Sequence, residues 1–199
     1  LESFDRHPKI DQVVVVCKHG WEDTMWGYIH EFGIKKVKWV IPGGKIGQES
    51  INNGVQFLND KCEDEETVVI HDGIRPLVDE LVLSDVIVKC QEYGTAVTSL
   101  PYNEQIFIKK TEETTEKYID RNTLRRVGTP QAYKYGMLRD AYNEAIAKNI
   151  GMTDSSYTNT MMVDLGHTLH FAAGSDKNIK LTNTDDLALF KAYLREKEL

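Results

Sequence analysis

A short apolar run at residues 68–70 ends in the sequence HDGIRP, which brings an acid, a glycine and an arginine within four positions. A carboxylate at a strand end can hold Mg²⁺ through its oxygens, so Asp72 is a candidate metal ligand. Gly73 allows another group to approach the backbone, and Arg75 can pair with a phosphate or lock the loop to a neighbouring acid. The alternative is an Asx-turn that closes the strand, which is the commoner fate of an isolated aspartate there.

Two other stretches carry residues suited to phosphate chemistry. In PGGKIGQES, residues 42–50, a glycine-rich turn leads into a helix and offers backbone N–H groups to a phosphate or to the polar edge of a base. It matches neither common phosphate-loop signature, and a plain strand-to-helix turn explains it as well. In NIKLTNTDDL, residues 178–187, Lys180 can balance the charge on a transferring phosphoryl group. A solvated lysine is the alternative.

A fourth stretch, DRNTLRRVGTPQAY at residues 120–133, is dense in polar and basic side chains: Arg121, Arg125, Arg126, Thr129 and Gln131. Arginines of this density can bind a phosphate monoester, because the guanidinium fork matches phosphate oxygens. A solvated basic loop remains the alternative.

Apolar runs and helical patterns alternate along the chain and predict the frame that positions these residues. Strands are expected at 12–17, 37–41, 67–70, 95–100 and 167–172, and helices at 21–32, 48–61, 80–93, 135–148, 155–162 and from 185 onward, with Thr184 as an N-cap. Repeated β-then-α units predict an α/β fold, a mostly parallel sheet with helices on both faces. Ligands of such sheets bind beyond the carboxyl ends of the strands, where the candidate residues lie.

Residues 102–120 interrupt this alternation. Two short strand patterns, QIFIKK and KYID, flank a polar tip and predict a projecting β-hairpin arm. Because an isolated two-stranded ribbon is marginally stable in water, the arm is expected to pack against a second subunit. A mobile surface hairpin is the alternative.

Composition excludes several classes of protein. The 199 residues suit one domain, and their formal net charge of −7 argues against a broad nucleic-acid surface. No apolar run approaches the length needed to cross a bilayer. The three cysteines, Cys17, Cys62 and Cys90, form no CxxC pair, which favours a reducing cytoplasm over a disulfide framework.

Together, GG…S, HDGIRP, DRN…TPQ and NIK…DDLAL occur in an order that resembles the 2-C-methyl-D-erythritol 4-phosphate cytidylyltransferases and the related ribitol-5-phosphate cytidylyltransferases. The resemblance covers essentially the whole chain and implies a Rossmann-like nucleotidyltransferase fold, CTP as substrate, Mg²⁺, and a homodimer whose arms reach across to the partner. The resemblance implies that Asp72 is the metal ligand and that Lys180 steadies the α-phosphate. It implies a cytidine pocket at Gly43, Gly44, Ser50 and Gly73, and an acceptor site at Arg121, Thr129 and Thr153. Thr129 and Gln131 of the TPQ signature are expected to have a supporting role there.

The resemblance implies a reaction in which the phosphate of a polyol attacks the α-phosphorus of CTP and expels pyrophosphate. This reaction needs no general base, since a phosphate monoester is already ionised near neutral pH. The acceptor is less defined, because Gln105 and Ser155 depart from the methylerythritol pattern at or near the acceptor site, and Gly47 stands where arginine is usual. We expect the acceptor to be methylerythritol phosphate, with ribitol phosphate as the alternative. A non-catalytic nucleotide-binding paralogue is a further alternative. The chain opens at Leu1, where the family's glycine-rich N-terminal loop should just have finished, and we expect that loop to precede it.

Overall fold

The computed structural model describes residues 1–153 and 157–197. Its strands are β1 Val13–Cys17, β2 Val37–Pro42, β3 Thr67–Ile70, β4 Thr95–Pro101, β5 Ile106–Lys109, β6 Thr115–Ile119, β7 Arg125–Lys134 and β8 Phe171–Ala173. Its helices are α1 Glu2–Arg6, α2 Glu22–Glu31, α3 Gly47–Phe57, α4 Glu80–Tyr93, α5 Tyr135–Lys148, α6 Thr158–Asp164 and α7 Thr184–Lys197. The expected α/β alternation is confirmed.

The strands form a parallel pair, β1–β2, and a four-stranded sheet in the order β3–β7–β4–β8. In the larger sheet β7 runs antiparallel to both β3 and β4, whereas β8 runs parallel to β4. Three of the four strands therefore share one direction, and their carboxyl ends meet at one edge, which we call the carboxyl edge. The amino end of β7 lies there too, because Arg126 pairs with Leu100 near the end of β4.

The strand β7 was not predicted, and it occupies most of the stretch for which a solvated basic loop was the alternative. Glycine and proline at positions 128 and 130 argue against a central strand. The register between β4 and β7 shifts at Val97/Ser99, so that Val97 pairs with Gln131 and Ser99 with Val127. Gly128, Thr129 and Pro130 fall in this irregularity, where their backbone groups are not needed for hydrogen bonds to β4.

Alternating residues of the sheet bury their side chains against helices on opposite faces. On one face, Val68, Ile70 and Tyr133 pack with helices α3, α5 and α6. On the other face, Val69 and Ala132 pack with α4. Because successive strand residues point to opposite faces, both faces are covered, as expected for a doubly wound fold.

The hairpin arm is confirmed as an antiparallel pair, β5–β6, outside the main sheet. The N-cap predicted at Thr184 is wrong, because Thr184 is the first residue of α7. Asn183 Oδ1 instead accepts the N–H of Asp186 at 2.9 Å, while Asp186 Oδ2 accepts the N–H of Asn183 at 3.0 Å. This reciprocal pair satisfies two N–H groups at the start of the helix. Among the described residues, no helix is both long and apolar enough to cross a membrane.

We expect the buried imidazole of His7 to make the fold less stable in acid. His7 Nδ1 accepts the N–H of Lys9 at 3.3 Å, so its proton lies on Nε2, 2.9 Å from Ser84 Oγ. Desolvation lowers the pKa of His7 below its ordinary value of 6.5. The unfolded chain therefore binds this proton at a higher pH than the folded chain, and the free energy of unfolding falls as pH drops below about 6.5.

Urea unfolding at pH 7.5 and 5.5 checks this prediction. The loss between the two pH values should be smaller in His7→Gln, which carries no titratable imidazole, than in the unsubstituted protein. An equal loss in both proteins would assign the acid sensitivity to other groups.

Candidate active site

Asp72, Arg75 and Lys180 meet at the carboxyl edge of the sheet. Asp72 follows β3, and its Oδ2 lies 3.2 Å from Arg75 Nε and 3.7 Å from Lys180 Nζ. All three side chains are partly exposed. The structure thus brings the predicted acid and lysine together. Of the two roles considered for Arg75, the structure shows the second, in which it locks its own loop to a neighbouring acid.

Thr129 and Asn178 hold the two loops of this cluster against each other. Thr129 Oγ1 accepts the N–H of Asp72 at 3.0 Å, and the Thr129 carbonyl accepts from Asn178 Nδ2 at 2.7 Å. Arg75 Nη1 in turn donates to the Asn178 carbonyl at 2.9 Å. Thr129 therefore fixes the backbone position of Asp72. Gln131 accepts a hydrogen bond from the buried Tyr133 hydroxyl at 2.8 Å and supports β7 itself.

His71, next to Asp72, is held in one orientation. Its Nε2 donates to the Arg75 carbonyl at 2.9 Å, and its ring packs against Phe4 at a centroid distance of 5.1 Å. Burial lowers the pKa of His71, which keeps the ring neutral. The imidazole thereby closes the turn that presents Asp72.

A cleft of about 310 Å³ opens beside this cluster. Three cations line it, Arg75, Arg126 and Lys180, and so do the carboxylates of Asp176 and Asp186. Arg126 forms an ion pair with Asp176, and Asp186 is engaged in capping α7. This volume lies at the lower end of the usual range for small-molecule sites and suits a phosphorylated compound of a few carbons.

A second pocket, of about 730 Å³, surrounds the glycine-rich turn after β2, where the cytidine pocket is predicted. The predicted Gly43, Gly44 and Ser50 all line it. Gly44 N–H donates to Ser50 Oγ at 3.0 Å, and Ser50 Oγ donates to the Ile46 carbonyl at 3.0 Å. A Cβ on Gly44 would lie 2.2 Å from Glu49 Cβ, and one on Gly43 would lie 2.8 Å from Ser50 Oγ. The turn therefore requires both glycines in order to fold back onto α3.

The other predicted residues lie apart from these two pockets. Arg121 is exposed at the base of the arm, where its Nη1 donates to the Asn103 carbonyl at 3.0 Å. Gln105 is also exposed and precedes β5. Gly73 lies in the exposed turn after Asp72, where a Cβ would meet no atom of the described chain within 4 Å. Thr153 is exposed, and Ser155 lies outside the described residues.

Two residues near the cluster were missed by the sequence analysis. Lys180 Nζ lies 5.7 Å from the ring centroid of Tyr157, at the limit of a cation–π contact. Asn178 Oδ1 is buried and accepts no hydrogen bond from the described part of the chain. No local sequence pattern identifies Tyr157. Asn178 belongs to the NIK stretch, in which only Lys180 was predicted to be functional.

Comparisons with known proteins identify the family of the chain. The family model of IspD, 2-C-methyl-D-erythritol 4-phosphate cytidylyltransferase, matches residues 1–196. A ribitol-5-phosphate cytidylyltransferase of Lacticaseibacillus paracasei is 85% identical over the whole chain, which covers 85% of that protein. A 2-C-methyl-D-erythritol 4-phosphate cytidylyltransferase of Clostridium tetani is 31% identical over 98% of the chain and 77% of its own length.

Solved structures support the fold. The 4-diphosphocytidyl-2C-methyl-D-erythritol synthase of Anaerococcus prevotii superposes with a TM-score of 0.85 at 19% identity, over 98% of this chain and 83% of that one. The Thermus thermophilus 2-C-methyl-D-erythritol 4-phosphate cytidylyltransferase gives 0.76 at 24% identity, over 92% and 82%. Fold, motif order and relatives agree: the chain belongs to the 2-C-methyl-D-erythritol 4-phosphate cytidylyltransferase family of nucleotidyltransferases.

Proposed function

We propose that the protein transfers CMP from CTP to ribitol 5-phosphate and releases pyrophosphate. The observation that carries this choice of acceptor is the 85% identity to a protein named ribitol-5-phosphate cytidylyltransferase, compared with 31% for a methylerythritol enzyme. The comparisons therefore favour the second of the two acceptors weighed above over methylerythritol phosphate. The departures at Gln105 and Ser155 point in the same direction.

The proposed reaction follows from the charges at the carboxyl edge. An oxygen of the acceptor's phosphate attacks the α-phosphorus of CTP, a new P–O bond forms, and the bond to the β-phosphate breaks as pyrophosphate leaves. Lys180 and Arg75 are placed to neutralise the negative charge that gathers around the α-phosphorus. The protein's task is to position two anions in line and to offset their repulsion.

Asp72 suits Mg²⁺ that is shared with the triphosphate. Both neighbouring cations contact Oδ2, and within the described residues Oδ1 takes part in no hydrogen bond. No group of three His, Cys, Asp or Glu side chains that could cage a metal occurs among the described residues. Mg²⁺ commonly binds through one or two carboxylates together with substrate phosphates and water, and when so bound it neutralises phosphate charge.

The turn at Gly43 and Gly44 is the proposed cytidine pocket. Its glycines bring the backbone close to a flat base, and the Ser50 hydroxyl fixes the turn through its bonds to Gly44 and Ile46. The cleft lined by Arg75, Arg126 and Lys180 is the proposed acceptor end of the site. Thr153 is proposed to contact the acceptor, as the family resemblance implies.

The arm is the proposed dimer contact, with a second copy of this chain as its partner. Phe107 and Tyr118 form an apolar cross-strand pair on the arm, with ring centroids 6.4 Å apart. Tyr118 is 73% exposed in the single chain. Large exposed aromatic side chains on a projecting ribbon are typical of an interface. The arm would carry Arg121 toward the acceptor site of the partner.

We expect Tyr118→Glu to convert the dimer to a monomer, because it places a charge in the proposed interface. Sedimentation velocity measures the change. Leu81→Glu, at an exposed apolar position on α4, is the matched control and should stay dimeric. A Tyr118→Glu protein that sediments as the unsubstituted protein does would exclude the arm as the main contact.

We expect Arg121→Ala to weaken acceptor binding far more than CTP binding. Loss of a charge-assisted hydrogen bond to phosphate corresponds to about a 10- to 100-fold rise in the acceptor KM. Initial rates at varied acceptor and varied CTP separate the two constants. Arg139→Ala, which breaks ion pairs with Asp64 and Asp140, is the control for loss of a surface arginine. A rise confined to the CTP KM would reassign Arg121 to the nucleotide.

The overall reaction is tested by incubating the full-length enzyme with CTP, Mg²⁺ and ribitol 5-phosphate. Pyrophosphate and a CDP-ribitol of the expected mass should appear in equal amounts. Absence of both products, with methylerythritol phosphate as well as with ribitol phosphate, would favour the non-catalytic paralogue. The cytoplasmic location expected from the three cysteines stays a prediction.

A further inference from the structure

A buried hydrogen-bond network joins the start of α3 to the start of α6. Gln48, the second residue of α3, is only 1% exposed, and its Nε2 donates to the Gly151 carbonyl at 2.8 Å. Its Oε1 accepts from the Tyr142 hydroxyl at 3.1 Å. The Tyr142 hydroxyl also lies 2.8 Å from Thr158 Oγ1, which is itself 3.4 Å from Gln48 Oε1. Three buried polar side chains thus satisfy one another.

Under the proposed function, one end of this network lies beside the nucleotide pocket, and the other end lies beside the proposed acceptor contact. Gln48 lies between Gly47 and Ser50, which both line the pocket around the glycine-rich turn. At the other end, Gly151 is two residues from Thr153 and Thr158 is next to Tyr157, whose ring lies near Lys180. The start of α3 and the start of α6 are therefore joined by side chains as well as by general packing.

Burial makes this connection stiff. A buried amide or hydroxyl that loses its partner carries the full cost of its lost hydration, so movement at one end is transmitted to the other. Desolvation raises the pKa of Tyr142, which keeps its hydroxyl protonated as a donor at neutral pH. The glycine-rich turn cannot shift α3 without disturbing Gly151 and Thr158.

We propose that Gln48 and Tyr142 are positioning residues that couple the pocket at the glycine-rich turn to the proposed acceptor contact at Thr153, so that a bound nucleotide strengthens binding of the polyol phosphate. This inference rests on the proposed function. Nucleotide contacts fix the start of α3, and the network then fixes Gly151 and Thr158. The acceptor therefore pays less of the entropy cost of holding Thr153 and Tyr157 in place. Coupling between sites in proteins is typically about 5- to 150-fold in affinity.

Matched tyrosine variants test the coupling. Tyr142→Phe removes only the network hydroxyl, whereas Tyr135→Phe removes an equally buried hydroxyl of the same helix that donates to the Val55 carbonyl at 3.1 Å. Calorimetric titration of ribitol 5-phosphate is run with and without a CTP analogue whose α–β bridge is methylene, so that no transfer occurs. We expect the analogue to tighten acceptor binding at least about fivefold in the unsubstituted enzyme and in Tyr135→Phe, and less than about twofold in Tyr142→Phe.

Equal coupling in the two variants, or none in the unsubstituted enzyme, would overturn the inference. Thr158→Val, which removes the other hydroxyl, gives the same test if Tyr142→Phe does not fold. Turnover of CTP and ribitol 5-phosphate by the unsubstituted enzyme is measured alongside. Active enzyme with equal coupling in both variants refutes only the network, whereas inactive enzyme refutes the proposed function on which it rests.

Discussion

Asp72→Asn is expected to lower kcat/KM by about a thousandfold while the fold stays intact. The substitution removes the negative charge that Arg75 and Lys180 share, and with it the proposed oxygen ligand for Mg²⁺. The side chain is partly exposed, so loss of its ion pairs should reduce the free energy of unfolding by no more than about 1 kcal/mol. Pyrophosphate release measures the rate, and urea unfolding measures the stability.

The control is Asp140→Asn, which removes a carboxylate from α5 where Asp140 pairs with Arg139. Its rate should stay within about twofold of the unsubstituted enzyme. Raising Mg²⁺ should recover part of the activity of Asp72→Asn if the carboxylate serves mainly to bind the ion. A fully active Asp72→Asn enzyme would remove the metal-ligand assignment and return Asp72 to a structural role in its turn.

Lys180→Gln is expected to lower kcat by about 100- to 1,000-fold, with a smaller change in the KM for CTP. Lys180 lies 3.7 Å from Asp72 Oδ2, and an ammonium there acts on charge that grows during transfer. A contribution made mainly in the transition state reduces kcat and kcat/KM together. Steady-state rates at saturating acceptor give both constants.

Lys177→Gln is the matched control, because Lys177 lies three residues earlier on the same loop and contacts the ring of Tyr193 instead. It should retain nearly full activity. Lys180→Arg should fall between the two, since it keeps the charge but changes its shape and reach. A Lys180→Gln enzyme with unchanged kcat and a raised KM would make Lys180 a ground-state binding residue.

The α/β frame was predictable because the strands are continuous apolar runs and the helices carry clear apolar stripes. The strand β7 was not, because its amino end is basic and Gly128 and Pro130 break its pattern. Its placement depends on pairing with β3 and β4, which are distant in the sequence. Local preference was thus overridden by tertiary contacts, and the sheet is mixed.

The residues of the candidate site also fall into two groups, those that local sequence predicted and those whose roles depend on long-range contacts. Asp72 and Lys180 were predicted as site residues because each follows a predicted strand or loop at the carboxyl edge, where ligands of such sheets bind. The roles of Thr129 and Asn178 follow from hydrogen bonds across 57 and 49 positions of sequence, which no local pattern contains. The link from Gln48 to Thr158 spans 110 positions and depends on Tyr142 lying between α3 and α6.

The choice of acceptor is the central claim, and a competition assay tests it most directly. The full-length enzyme receives limiting CTP, Mg²⁺, and equal concentrations of ribitol 5-phosphate and 2-C-methyl-D-erythritol 4-phosphate. Mass spectrometry of the two CDP-polyols gives the ratio of kcat/KM values, because both acceptors compete for one enzyme. We predict that CDP-ribitol exceeds the methylerythritol product by at least about a hundredfold. An excess of the methylerythritol product would contradict the account.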